Sequence, residues 1–207
     1  MASTDEDVPM QVEVPEYEVV DALALEPEDS VLLVVDMQND FAHPDGALYN
    51  PDAEASVPVI RQLCDRARSA GVPVWYTRDT HCEGDPEWET WGRHAEQGTF
   101  GWEIVEELAP REEDRVFRKS RYDGFYGTGL DHALRVEDRR TVVICGTVAN
   151  ICVHYTAASA GLRWYDVVHP VEGISALTEF DLHAALRQAS WLFGAELVRA
   201  DGLAFGG

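Results

Sequence analysis

The chain has 207 residues, 45% of them hydrophobic, with 38 acidic residues against 16 basic ones for a formal charge of −22. That length suits one domain with a sizeable buried core. With 26% charged residues and no apolar run approaching the length of a membrane span, a transmembrane helix is excluded. Phosphate backbones and anionic lipid would repel so acidic a chain, so neither nucleic acid nor membrane is expected as a partner.

The opening stretch, MASTDEDVPMQVEVPEYE, has no basic region and no apolar region, so it does not read as a signal peptide. Cys64, Cys82, Cys145 and Cys152 form no CxxC pair and no dense framework. Free thiols and a cytoplasmic location are the expectation. No Lys or Arg precedes Arg61, and Lys119 is the only lysine. Such a surface suits concentrated salt, where self-repulsion is screened. A solitary lysine is either a surface survivor or a position that needs a compact ammonium.

Residues 1–28 are acidic and carry Pro9, Pro15 and Pro27; they read as an irregular N-terminal arm, with one domain over 29–207. VLLVV at 31–35 has the continuous apolar character of a strand buried on both faces. A helix is predicted over 52–70 from Val59, Leu63, Ala67 and Ala70, ended by Gly71. VPVWYT at 72–77 is the second strand, followed by a polar excursion over 78–101. A short helix near 102–108 and a strand at RVFR, 115–118, come next. Then follow a helix near 127–136, the strand TVVIC at 141–145 and a helix near 150–162. The strand DVVHP at 166–170, a helix over 178–193 and the strand AELVRA at 195–200 complete the pattern. Six buried strands separated by helices predict a three-layer, doubly wound α/β domain with a parallel sheet.

Ligands of such sheets sit beyond the carboxyl ends of the strands, so the residues there are the candidates. Asp36 follows the first strand, as a turn or cap residue or as a partly buried acid. Lys119 follows the third. Cys152 follows the Gly-containing turn after TVVIC, as an ordinary buried cysteine or as a thiol activated at a helix start. Together a carboxylate, an amine and a thiol at one sheet edge are the equipment of nucleophilic acyl transfer. In the excursion, Asp79, His81 and His94 form a weak metal signal by themselves; their donors suit zinc, manganese or iron.

DMQNDF (36–41), RKSRYDGFYGT (118–128) and GTVANICV (146–153), in this order, resemble the isochorismatase-like cysteine hydrolases over about 30–200. The resemblance implies their α/β fold and a catalytic triad of Asp36, Lys119 and Cys152. It also implies a cis peptide at Thr147–Val148, with the amides of Val148 and Cys152 as oxyanion hole. Thr147, Ala149 and Asn150 depart from the residues common there. Asp79-x-His81, followed by W-x-x-H ending at His94 and by GT-x-G, is similar to the nicotinamidase branch. That likeness implies a divalent metal, zinc first with manganese or iron as alternatives, held by Asp79, His81, Glu87 and His94. Asp85 and Glu89 rival Glu87 for the third position. Phe41, Trp91 and Tyr122 become candidate walls of a substrate pocket, core packing being the other reading. The short interval from Lys119 to Tyr122-Asp-Gly-Phe departs from many nicotinamidases. The expectation is an amidohydrolase converting nicotinamide to nicotinate and ammonia through a Cys152 thioester, within NAD salvage. The alternative is a relative acting on another small amide, an N-carbamoyl or ureido compound. The family likeness further implies a homo-oligomer.

Overall fold

The computed structural model describes residues 12–206. In chain order its elements are β1 (Leu23–Leu25), β2 (Ser30–Val35), α1 (Asn39–Ala42), α2 (Pro51–Ser69), β3 (Val74–Asp79), α3 (Trp88–Trp91), β4 (Arg115–Lys119) and α4 (Leu130–Val136). They continue with β5 (Thr141–Thr147), α5 (His154–Gly161), β6 (Asp166–Pro170), β7 (Ile174–Ser175), α6 (Glu179–Phe193), β8 (Glu196–Val198) and β9 (Leu203–Phe205). The central sheet runs β4-β3-β2-β5-β6-β8, and every pairing in it is parallel.

The apolar runs explain the layers. In β2, Val31, Leu33 and Val35 enter one core with residues of α4, α5 and α6. Leu32 and Val34 enter the other, against Ala53, Ile60, Leu63 and Ala67 of α2. A strand covered on both faces has no polar side to alternate with, which is why it reads as unbroken Val and Leu. Helix α2 begins where the Asn50 side chain accepts the Asp52 N–H at 3.1 Å with Pro51 in its first turn. Helix α6 begins at Thr178, whose hydroxyl accepts the Asp181 N–H, and ends at the left-handed Gly194.

Strand order reverses between β2 and β5, so the ends of these two neighbours diverge into a crevice. Gly146 lets them approach there: a Cβ on it would stand 2.1 Å from the Val35 carbonyl oxygen, at φ +119°. The sheet has seven strands rather than the predicted six, because the two-residue β7 pairs with the end of β5. The predicted helix near 102–108 is also absent. Only Glu106–Leu108 makes a 3₁₀ turn. The backbone before it is spent elsewhere: Asn39 N–H donates to the Glu103 carbonyl, Val105 N–H to the Met37 carbonyl, and Ile104 bridges Gln38. Part of the predicted arm, Met1–Gln11, lies outside the described residues. Within the rest, Val20 bridges Val198 and β1 pairs in parallel with β9. No helix among the described residues is long and apolar enough to cross a membrane. Cys64, Cys82, Cys145 and Cys152 are all free.

Candidate active site

Three strand ends and one turn converge in the crevice. Asp36 leaves β2 with a left-handed backbone, φ 50°, and its Oδ1 accepts the Thr77 hydroxyl at 2.8 Å. Lys119 is the last residue of β4 and its side chain is fully buried. Its ammonium lies 2.7 Å from Asp36 Oδ2, 3.0 Å from Asp79 Oδ1 and 3.5 Å from Cys152 Sγ. Cys152 stands in a wide turn over Ala149–Val153, where Ile151 departs from helical angles, just before α5. The peptide joining Thr147 to Val148, at the entry to that turn, is cis.

The charges here are strongly interdependent. Burial works to discharge Lys119, but Asp36 and Asp79 outweigh it and hold the ammonium well above its ordinary value. Burial pushes the Asp36 carboxyl up; the ammonium counters this and Asp79 adds to it. Burial likewise pushes the Cys152 thiol well up, opposed by Lys119 and reinforced by the two carboxylates. Lys119 thus stays a cation within reach of both the Asp36 carboxyl group and the Cys152 thiol, a set of groups suited to passing the thiol proton to Asp36 as the sulfur reacts.

Asp79 joins this corner to a second one. It is the last residue of β3, not part of the excursion, and its Oδ2 faces His81 Nε2 at 3.0 Å and His94 Nε2 at 3.7 Å. Burial alone would raise its carboxyl, but Lys119 and the imidazoles hold it well below the usual carboxylate range. His81 is raised to about 9: burial pulls it down, and the hydrogen bonds to Asp79 and Asp85 overcome that. Donor atoms of Asp79, His81, Glu87 and His94 lie within 4.8 Å of one another, all on buried side chains. Two imidazoles and two carboxylates at that separation fit a zinc, manganese or iron ion. Of the rivals for the third position, Asp85 faces His81 Nδ1 on the far side of the ring at 2.9 Å. Glu89 is exposed on α3.

A cavity of about 230 Å³ opens between the two corners. Cys152, Val148, Asp79, Glu87 and His94 face it from the reacting side. Phe41, Trp91 and Tyr122 wall it, Trp91 donating its indole N–H to the Tyr122 hydroxyl at 2.9 Å. All three predicted wall residues are thus brought together, with Asn50, Ile151 and Leu177 added. Among the described residues, no Arg or Lys lines the cavity.

Several positioning groups escaped sequence reasoning. The Gln38 side chain accepts the Asp79 N–H at 2.7 Å and donates to the Asp79 carbonyl at 2.9 Å, holding the residue that serves both corners. The Asp40 carboxylate accepts from Ala95 at 2.7 Å and Ala47 at 2.9 Å, fixing the backbone beside His94. Gly101 leaves room for that carboxylate, since a Cβ there would fall 2.1 Å from Asp40 Oδ1. Both Gln38 and Asp40 lie inside DMQNDF, the one signal that could have pointed to them.

The isochorismatase domain model matches residues 30–201. Ureidoacrylate amidohydrolase RutB of Methylobacterium radiotolerans is 32% identical, covering 83% of this chain and 77% of that one. Among solved structures, N-carbamoylsarcosine amidase from Thermoplasma acidophilum is 37% identical with a TM-score of 0.77, covering 84% of this chain and 97% of that one. The pyrazinamidase of Pyrococcus horikoshii in complex with zinc is 29% identical with a TM-score of 0.77, covering 83% and 99%. With its motifs at the sheet edge and the match over nearly the whole described domain, the chain belongs to the isochorismatase family, as an isochorismatase-like amide hydrolase.

Proposed function

We propose that the chain hydrolyses a small ureido or N-carbamoyl amide through a covalent intermediate on Cys152. The observation that carries the reaction is the Lys119 ammonium, 2.7 Å from Asp36 and 3.5 Å from Cys152 Sγ in a buried corner. The substrate class is supported by the likeness to the ureidoacrylate amidohydrolase and the N-carbamoylsarcosine amidase. This reverses the preference of the sequence reading, which put nicotinamide first.

Asp36 takes the thiol proton as Cys152 Sγ bonds to the substrate's carbonyl carbon, and Lys119 stabilises the thiolate as it forms. The carbonyl electron pair moves onto oxygen, which meets the N–H groups of Val148 and Cys152; each such donor can lower the barrier by about 3–4 kcal/mol. Collapse breaks the C–N bond, and Asp36 returns the proton to the departing nitrogen, leaving an S-acyl enzyme. Water then adds to that carbonyl carbon while Asp36 accepts its proton, and the C–S bond breaks to restore the thiol. A divalent metal held by Asp79, His81, Glu87 and His94 would supply a Lewis-acid contact for one heteroatom of the substrate. Phe41, Trp91 and Tyr122 enclose the rest of it.

A second reading, nicotinamide, rests on two features of the site. The cavity is walled by aromatic side chains, and among the described residues no cationic side chain lines it to receive a substrate carboxylate. The four metal-type donors stand at its edge, where a pyridine nitrogen could be held. The test is ammonia release in buffer of high ionic strength from an N-carbamoyl amino acid, a neutral ureido compound and nicotinamide, with Cys152→Ala as control. Turnover of the carbamoyl or ureido compounds upholds the proposal, and turnover of nicotinamide alone replaces it with the second reading. No turnover of any of them by the metal-loaded chain would overturn both. We also propose, on family likeness, a cytoplasmic homo-oligomer; sedimentation velocity tests the assembly.

A further inference from the structure

Behind the four metal-type donors lies an ion pair that the reaction does not use. His81 presents Nε2 to Asp79 at 3.0 Å, and its other ring nitrogen, Nδ1, faces Asp85 Oδ2 at 2.9 Å. The Asp85 carboxylate also accepts the Glu87 N–H through Oδ1 at 3.0 Å. One carboxylate thereby holds the ring of one donor residue and the backbone of another. Arg121 completes the arrangement: its Nη1 lies 3.1 and 3.2 Å from the two Asp85 oxygens and 3.6 Å from Glu87 Oε2. Arg121 sits two residues beyond Lys119, on the segment leaving β4, so this contact ties the excursion to the strand that delivers the catalytic ammonium. His81 is fully buried at its side chain and Asp85 nearly so, whereas Arg121 is 40% exposed.

We propose that Asp85, itself held by Arg121, is the positioning residue of the metal site: it keeps the His81 ring turned with Nε2 toward Asp79 and sets Glu87 at the third position. The inference rests on reading Asp79, His81, Glu87 and His94 as metal donors. Its physical basis is general. A histidine ligand whose second nitrogen donates to a carboxylate is locked in tautomer and orientation, and loss of that partner typically weakens metal affinity 10–100-fold. Asp85→Asn keeps the size of the side chain but substitutes a neutral amide for the carboxylate that serves His81, Glu87 and Arg121 together. Arg121→Gln leaves Asp85 in place without the charged Nη1 that bridges its two oxygens.

Zinc affinity of the purified full chain, measured by competition with a chromogenic chelator, tests this without reference to turnover. The expected order is tightest binding in the wild type, about tenfold or more weaker in Asp85→Asn, a smaller loss in Arg121→Gln, and loss of measurable binding in His81→Ala. The visible spectrum of the cobalt-substituted protein should change in Asp85→Asn, because the spectrum reports ligand orientation, while the thermal midpoint of the metal-free protein stays within a few degrees of wild type. Should Asp85→Asn bind zinc within twofold of wild type while His81→Ala has lost it, the positioning role is overturned and the donor set survives. A wild type that takes up neither zinc nor manganese overturns the donor set and this inference with it.

Discussion

The two corners of the cavity are built differently. Asp36 and the turn bearing Cys152 hang directly on β2 and β5, each paired in parallel on both sides, and Lys119 on β4, an edge strand paired in parallel with β3. His81, Glu87 and His94 stand on an excursion that contains one helical turn, Trp88–Trp91, closes on itself through backbone bonds from His81 to Ala95 and from Gln97 to His81, and is further held by the side chains of Asp40, Asp85 and Arg121. Asp79 belongs to both, since it ends β3 and faces Lys119 with one oxygen and the imidazoles with the other. The difference separates tasks. The proposed covalent step demands sub-ångström placement, which a ladder supplies, whereas a loop held in part by replaceable side chains can be altered with little effect on the sheet.

The largest predicted effects fall on the ladder-held corner. Cys152→Ala should lower kcat by at least about 10³-fold on any amide the wild type hydrolyses, because it removes the group proposed to form the covalent intermediate. Its thermal midpoint should stay within a few degrees of wild type, since only one sulfur is removed. Retained turnover would move the nucleophile elsewhere. Lys119→Met should act on both activity and stability. It leaves Asp36 and Asp79 facing each other in a buried site without their shared cation, and losing one partner of a buried ion pair costs about 3–5 kcal/mol. Denaturant unfolding measures this. Lys119→Arg keeps the charge but spreads it over a planar fork, so it should recover part of the stability and little of the turnover.

His169 supplies a contrast to the imidazoles of the excursion. It is buried on β6 away from the cavity, with Nδ1 against the Ile144 carbonyl at 2.9 Å. Burial lowers it to about 4, only partly offset by that carbonyl. Below about pH 6.5 the unfolded chain therefore takes up a proton that the folded chain refuses, so stability falls as pH drops toward 4. By pH 5 the loss from this one group is roughly 2 kcal/mol. Wild type and His169→Gln should lose stability with different slopes between pH 6.5 and 5. Equal slopes would show that His169 is not held neutral.

The ladder-held corner is the one that local sequence reports well. VLLVV, RVFR and TVVIC announce strands, and Asp36, Lys119 and Cys152 follow them at the expected edge. The strand before Asp79 was harder to read. The predicted strand stops at Thr77 because Arg78 breaks the apolar run, yet β3 continues to Asp79. Arg78 is accommodated by laying its guanidinium over the Trp102 ring, 4.3 Å from its centroid, a partner 24 positions away that no local pattern reveals. The clamps have the same character. Gln38 and Asp40 are polar residues in a short motif, and their partners at Asp79 and Ala95 become neighbours only when the chain has closed. The excursion's donors were therefore reached through family likeness rather than through periodicity. The missing helix near 102–108 has a related cause: Trp102, Ile104, Val105 and Leu108 are buried as a helix face would be, but long-range backbone bonds from Asn39 to Glu103 and from Val105 to Met37 draw this stretch out of a helix.

Asp40→Ala should disturb the excursion and spare the sheet. It removes the acceptor of the Ala95 and Ala47 N–H groups, at about 1–3 kcal/mol for the Ala95 donor left buried and unpaired, Ala47 being exposed to solvent. The expected signature is weaker metal uptake together with unchanged alkylation of Cys152 by iodoacetamide. Faster or slower alkylation would mean that Asp40 supports the thiol corner as well.

The smallest effect belongs to the outermost contact between the corners, Trp91 to Tyr122. Trp91 is 36% exposed, and its N–H donates to the Tyr122 hydroxyl at 2.9 Å across the cavity mouth. Trp91→Phe keeps an aromatic wall but removes that bond, whose net worth at a partly exposed site is about 0.5–1.5 kcal/mol. If Trp91 only shapes the entrance, the loss falls on ground state and transition state alike. KM then rises by no more than about tenfold while kcat stays within a factor of two. Tyr122→Phe, which deletes the acceptor from the other side, should do the same, and the double variant should cost no more than the larger single one, because one contact cannot be lost twice. A fall in kcat in either variant would place the aromatic wall in the transition state and erase the division between a corner that reacts and a loop that receives.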